Sequence, residues 1–337
     1  MSVRTLRAPF PWYGGKSLAA SLIWRAFGNV PNYIEPFAGS LATLLARPHD
    51  PKVETVNDKD GLISNFWRAT KHAPDEVARW ADWPVNENDL HARHKWLVKN
   101  ALPLTAKLED DPDYFDAKVA GWWVWGISSW IGNGWCSLDE RLNRCMPKTS
   151  TAGHGVHAPT RKMPRNARGA TPVHPVTRKK PITHRNRGVH RDSAAGELHA
   201  MFEELAARLR GVRVCCGDWT RVLGRSTLGI DTNHGMTPCG ILLDPPYAHD
   251  RREKRLYRED DADLSGDVYR WALENGENPQ LRIALCGWEG EHDMPSTWQC
   301  VSWVSAGSGK NRDKERIWFS PHCLGAGMQI EMFGGAA

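Results

Sequence analysis

The sequence predicts an α/β protein: a mainly parallel sheet with helices on both faces, interrupted midway by a mainly helical insertion. Three observations carry that expectation. Strand and helix patterns alternate over roughly the first seventy residues, and the same rhythm returns after residue 193. The stretch between is different in kind, first tryptophan-rich and helical, then basic and without periodicity. The simplest organisation is one discontinuous domain made of residues 1–73 and 193–337. Residues 74–146 then form a helical Trp-rich unit, and residues 147–192 a basic arm. At 337 residues the chain has the length of two ~150-residue domains and buries a core without disulfide staples.

The elements follow in order. Ser17–Phe27 carries Leu18, Leu22, Ile23 and Ala26 at helical spacing. Asn32–Ile34 is a short apolar strand ending in Glu35-Pro36, and Leu41–Ala46 is helical again. Val53–Val56 makes a second strand, followed by a helix over Leu62–Lys71. Within the insertion the clearest helices are Glu87–Asn100 and Phe115–Trp130. Trp122, Trp123, Trp125, Trp130 and Trp135 crowd together there; most are expected in a helical core, with a minority left to stack on bases or wedge into DNA. After the arm come a helix at Ala194–Arg210, strands at Val212–Cys215 and Gly240–Leu243, and a helix at Asp261–Glu274. Strands at Leu281–Leu285, Val301–Val304 and Arg316–Phe319 complete the pattern.

Charge is unevenly placed. Pro147–Asp192 holds eleven Lys or Arg and one acid, leaving 33 bases against 38 acids elsewhere. The tract repeats imperfectly: Val156-His-Ala-Pro-Thr-Arg161-Lys162-Met-Pro164 returns as Val173-His-Pro-Val-Thr-Arg178-Lys179-Lys180-Pro181, with Arg185 and Arg187 following. Two or three polar copies are too few for a solenoid. A basic arm that contacts a polyanion, or a solvated linker, fits the composition. The eight cysteines form no CxxC pair and have no His at finger spacing, which argues against structural zinc; no metal is expected. The longest apolar runs are far too short to cross a bilayer, and Met1–Phe10 does not resemble a signal peptide. Membrane, secreted and fibrous classes are excluded on that reading.

The chemistry concentrates in Asp244-Pro245-Pro246-Tyr247, directly after the buried strand Gly240–Leu243. Open α/β sheets place their ligands at such carboxyl ends. The exocyclic amine of a nucleobase is a poor nucleophile because its lone pair is delocalised into the ring. A carboxylate accepting one N–H and a backbone carbonyl accepting the other favour the pyramidal nitrogen needed for attack. Asp244 and the Pro245 carbonyl can be those acceptors, held by consecutive prolines that fix φ. The Tyr247 ring can stack on a base taken out of the helix.

Companion motifs point the same way. Glu35-Pro36-Phe37-Ala38-Gly39-Ser40 links the first strand to a helix, and Gly39 permits close approach of the backbone to a ligand. It lacks dinucleotide-phosphate glycine spacing and a Walker lysine, which favours a nucleoside-like cofactor. Asn57-Asp58 ends the second strand, where an acid can bind ribose hydroxyls. Pro11-Trp12-Tyr13-Gly14-Gly15-Lys16 offers an aromatic face, two glycines and a cation. Gly217-Asp218 follows a later strand and could reach an adenine amino group.

Together these motifs stand in the order found in the Dam-like, D12-class DNA adenine-N6 methyltransferases. The chain resembles that family over Arg7–Lys71 and about Ala194–Pro321, with phage- and prophage-encoded members the most similar in their Trp-rich stretch and basic repeats. The resemblance implies a Rossmann-like S-adenosylmethionine-dependent methyltransferase sheet interrupted by a target-recognition insertion. It implies transfer of a methyl group from S-adenosylmethionine to adenine N6 in double-stranded DNA. Cofactor contacts are implied for Trp12, Tyr13, Gly14, Gly15, Lys16, Glu35, Pro36, Phe37, Ala38, Gly39, Asp58, Asp218 and Asp244. Asp244, Pro245, Pro246 and Tyr247 match the catalytic tetrapeptide. The same chemistry would serve cytosine N4, but Asp rather than Ser at position 244 favours adenine. For DNA contacts the candidates are Arg161, Lys162, Arg178, Lys179, Lys180, Arg185 and Arg187 of the arm, with Arg251 and Arg252 after the tetrapeptide. A monomer in the bacterial cytoplasm, with DNA as its partner, is expected.

Overall fold

The computed structural model describes residues 6–12, 14–111, 113–130, 135–136, 197–230, 238–247, 264–303 and 314–325. In chain order these form α1 (Ala20–Phe27), β1 (Asn32–Glu35), α2 (Ala42–Leu45), β2 (Val53–Asp58), α3 (Gly61–His72) and α4 (Pro74–Ala81). Then follow α5 (Glu87–Asp110), α6 (Ala117–Ser129), α7 (Glu197–Leu209), β3 (Val212–Cys216), a 3-10 turn at Trp219–Val222 and α8 (Arg225–Leu228). The last elements are β4 (Cys239–Leu243), α9 (Leu264–Asn275), β5 (Leu281–Trp288), β6 (Gln299–Trp303) and β7 (Glu315–Phe319).

The seven strands form one sheet in the order β3-β2-β1-β4-β5-β7-β6. β1 to β5 are parallel, and β7 runs antiparallel between β5 and β6. Such a parallel arrangement needs helical crossovers, and both faces are therefore covered. Alternate residues of β1, β4, β5 and β7 enter two different cores. Tyr33, Leu242, Ala284, Cys286 and Phe319 join one; Ile34, Ile241, Leu243, Ile283, Leu285 and Trp318 join the other. The first core lies under α1, α3 and α7, and the second under α9 and the Trp219–Val222 turn.

The Trp-rich helices contribute to the first of these cores. α4 and α6 pack on one another and on α3. Phe10 meets Trp123 edge-on at 4.8 Å and Phe66 at 5.4 Å. Trp123 and Trp125 are buried, Trp130 and Trp135 enclose His94, and Trp122 is half-buried with its edge against Trp80 and Trp96. Asn65 on α3 and Asp116 before α6 exchange two hydrogen bonds, of 2.9 and 2.8 Å.

One boundary differs from expectation for a physical reason. α5 does not stop near Asn100 but runs through Pro103 to Asp110. Proline removes one helical N–H, yet Ala101, Leu104 and Leu108 continue the buried stripe against α3, and that burial outweighs the break. β2 is tied to the helical layer by a buried charge cluster. Glu54 accepts from Arg208 at 2.6 and 2.8 Å and from Arg47 at 3.1 Å. The same arginines donate to the Val30 and Leu44 carbonyls, at 2.6 and 3.0 Å.

Candidate active site

Four adjacent strands end in the residues singled out above. Glu35 is the last residue of β1 and Asp58 of β2, while Gly217-Asp218 follow β3 and Asp244 follows β4. Strand order reverses between β1 and β4, the switch point at which open α/β sheets leave a crevice. A cavity opens there. It is lined by Trp12, Gly15, Lys16, all of Glu35–Ser40, Asn57, Asp58, Gly217, Asp218, Trp219, Asp244 and Pro246.

Its floor is the turn after β1. The Gly39 N–H donates to Asp58 Oδ2 at 3.0 Å, and its carbonyl accepts from Trp67 Nε1 at 2.9 Å. Gly39 has φ +45°, and a Cβ there would stand 2.5 Å from Trp12 Nε1. Only glycine allows the turn and the indole to lie this close. Asn57 clamps two neighbouring loops, donating to the Pro36 carbonyl at 3.1 Å and the Gly217 carbonyl at 3.0 Å. Asp58 also accepts from the Asp60 N–H at 2.9 Å, so its carboxylate is held from two sides.

In the lining, Phe37 and Trp219 stack with centroids 6.0 Å apart. Asp218 accepts from the Thr220 hydroxyl and backbone N–H, and these bonds hold its carboxyl below the usual range. Glu35 also lines the cavity and is only 2% exposed. Its Oε1 accepts from the Tyr33 hydroxyl at 2.6 Å, while Oε2 is buried without a partner. Burial pushes the Glu35 carboxyl up to about 8, against the opposing Tyr33 hydrogen bond.

Lys16 joins the glycine turn before it to the tetrapeptide. Its ammonium pairs with Asp244 Oδ1 at 2.7 Å and donates to the Gly14 carbonyl at 2.6 Å and the Tyr247 hydroxyl at 3.2 Å. All three of its protons are thus used within the protein. Burial alone would depress this lysine, but the acidic groups around it, Asp244 first and Glu315 among them, together outweigh it and leave the ammonium stabilised. Burial likewise pushes Asp244 up, with Lys16 opposing. The Tyr247 hydroxyl in turn donates to Glu315 Oε2 at 2.6 Å, and its ring meets Trp288 edge-on.

Of the expected residues, Trp12, Gly15, Lys16, Glu35, Pro36, Phe37, Ala38, Gly39, Asp58, Asp218, Asp244 and Pro246 line this one cavity. Gly14 serves through its carbonyl; Pro245 and Tyr247 are buried beside the lining. Tyr13, Arg251, Arg252 and the arm residues Arg161, Lys162, Arg178, Lys179, Lys180, Arg185 and Arg187 lie outside the described residues. Sequence reasoning missed Trp219, Glu315 and Trp303, whose ring centroid lies 5.5 Å from Lys16 Nζ. Trp219 stands beside Asp218 and had a local signal, but Glu315 lies 68 residues from Tyr247 and had none. Among the described residues no cluster of His, Cys, Asp or Glu could hold a metal ion, and no helix is long and apolar enough to cross a membrane.

A mostly parallel sheet in this order, with acids at four adjacent strand ends and a glycine turn beneath them, is consistent with a methyltransferase fold. Residues 12–101, which span Trp12–Lys16, β1 and β2, match the family model of the D12 class N6 adenine-specific DNA methyltransferase. The match supports a DNA adenine-N6 methyltransferase enzyme whose substrate is DNA, and the family implies S-adenosylmethionine use. No curated protein matches the chain.

Proposed function

We propose that the protein methylates the N6 amine of adenine in double-stranded DNA, with the cavity holding S-adenosylmethionine and Asp244–Tyr247 receiving the target base. The observation that carries this reading is the shared cavity: the Asp244 carboxylate lines the same crevice as Glu35, one strand away.

The residues present suit the cofactor. Glu35 Oε2, buried and unpartnered, is an acceptor for an α-ammonium group. The close Gly39–Trp12 contact leaves a smooth floor for the methionine moiety, Asp58 can accept from ribose hydroxyls, and Phe37, Trp219 and Asp218 suit an adenine ring and its amino group. Bound S-adenosylmethionine would supply an electrophilic methyl group. Asp244 and the Pro245 carbonyl accept the two N–H groups of the target amine and turn its lone pair toward that methyl. Two reactants held at adjacent strand ends gain most of their acceleration from positioning. Once the new bond forms, the nitrogen carries one proton too many, and Asp244 is the base in place to take it.

The helices of residues 74–146 are assigned to target recognition, and the basic arm of residues 147–192 to the phosphate backbone, where its charge would act without sequence preference. Expression in a methylation-deficient bacterium, followed by modification-sensitive sequencing of its DNA, tests the reading. N6-methyladenine at one recurring motif is the expected result. N4-methylcytosine, or no modified base from well-folded protein, would overturn it.

A further inference from the structure

Glu315 is a carboxylate in an unusual place. It opens β7, in the middle of an antiparallel triplet, and its register neighbours on either side are Trp288 and Trp303. It is 6% exposed, and burial pushes its carboxyl up. A hydrophobic residue would hold the sheet better at that position, since a buried charge is a poor source of stability. Its hydrogen bonding is suited to another task.

The polar contacts run in one direction. Lysine can only donate, so the Tyr247 oxygen must accept from Lys16, and the Tyr247 proton is then free to point elsewhere. Glu315 Oε2 takes it, at 2.6 Å. The alternative acceptor is Asp244, whose carboxylate meets the same Lys16 ammonium as the Tyr247 hydroxyl, at 2.7 and 3.2 Å. A tyrosine proton on Asp244 would occupy the carboxylate that has to receive the target amine. Lys16 already holds Asp244 Oδ1.

We propose that Glu315 is a positioning residue for methyl transfer: it draws the Tyr247 hydroxyl proton away from Asp244 and fixes the Tyr247–Lys16–Asp244 array. The inference rests on the function proposed above and adds to it a residue on a late strand, remote in sequence from every motif.

The test is a set of variants measured in single turnover with duplex DNA, with cofactor affinity and thermal midpoint measured in parallel. Glu315→Ala is expected to lower the transfer rate by about tenfold or more, the scale of a misplaced reacting group, while cofactor affinity stays within about twofold. Glu315→Gln, whose amide oxygen can still accept from Tyr247, should restore most of the rate. Adding Tyr247→Phe to Glu315→Ala should slow the enzyme no further than the slower single variant, because no hydroxyl is left to misdirect. Additive losses, or a Gln variant no better than the Ala variant, would overturn the proposal. If Glu315→Ala does not fold, the Gln variant and Tyr247→Phe decide it: Gln at or below the rate of Tyr247→Phe counts against it. A crystal structure of Glu315→Ala separates this inference from the function on which it rests, because it needs no turnover. In the Ala variant the Tyr247 oxygen should move onto Asp244; an unmoved Tyr247–Lys16–Asp244 array refutes the role even if the wild type methylates nothing.

Discussion

Glu35 has one carboxylate oxygen satisfied by Tyr33 and one without a partner, and this imbalance has a measurable consequence. Its folded-state carboxyl titrates near 8 instead of 4.5, so the folded protein keeps a proton that the unfolded chain releases between those values. Stability from this group is therefore present at low pH and declines as pH rises from about 4.5 to 8. An ammonium ligand reverses the preference, since it binds the ionised carboxylate and expels the proton. Affinity for S-adenosylmethionine should rise about tenfold from pH 6 to pH 7, with nearly one proton released on binding, and Glu35→Gln should abolish that dependence. Calorimetry in buffers of different ionisation enthalpy measures both quantities; binding that takes up no proton and gives up none would contradict the assignment. At Asp244, the conservative change to Asn keeps an oxygen for Lys16 but removes the charge that draws on the target amine. Asp244→Asn should lower turnover by about 10²-fold or more with cofactor binding intact. Near-normal single-turnover rates would remove Asp244 from the chemistry.

At the level of the elements, two joints invite testing. The turn between β1 and α2 exists only because residue 39 has no Cβ. Gly39→Ala forces a side chain into φ +45° and against the Trp12 indole, so a stability loss of about 1–2 kcal/mol is expected, together with weaker cofactor binding. Urea denaturation and cofactor titration on the same preparation would show the two losses together. The second joint is Glu54 of β2, buried between Arg47 and Arg208. Removing it leaves two guanidinium groups without their carboxylate, and Arg47 has no solvent to turn to. Glu54→Ala should cost about 3–5 kcal/mol of unfolding free energy. A loss below about 1 kcal/mol would mean the cluster is cheaper to dissolve than its burial implies. The element boundaries were legible where local chemistry marks them. The expected starts at Leu62 and Glu87 lie within a residue of α3 and α5, which Asp60 and Asn86 cap, whereas the expected start at Phe115 falls before the Asp116 cap of α6. The continuation of α5 past Pro103 was not legible, because the force that overrides proline there comes from α3, a separate element.

For the molecule as a whole, the uneven charge makes a prediction independent of the fold. Eleven basic residues against one acid in residues 147–192 should supply much of the salt-dependent DNA affinity. Deleting that tract should weaken DNA binding and flatten the slope of log affinity against log salt by about 0.9 for each phosphate no longer neutralised. An unchanged slope would reduce the tract to a linker. The sequence by itself determined the strand ends that carry Glu35, Asp58, Asp218 and Asp244, since strand periodicity and turn residues are local signals readable over a few positions. The motif order written along the chain also carries the resemblance to one family. Strand order and register were decided only by the tertiary structure. Placing β7 beside β5 brings Glu315 to Tyr247, and placing β4 beside β1 brings Asp244 to the Glu35 crevice, with Lys16 reaching across to pair with it. Those neighbours arise from packing two hydrophobic faces over a whole sheet, and no stretch of sequence contains the information alone.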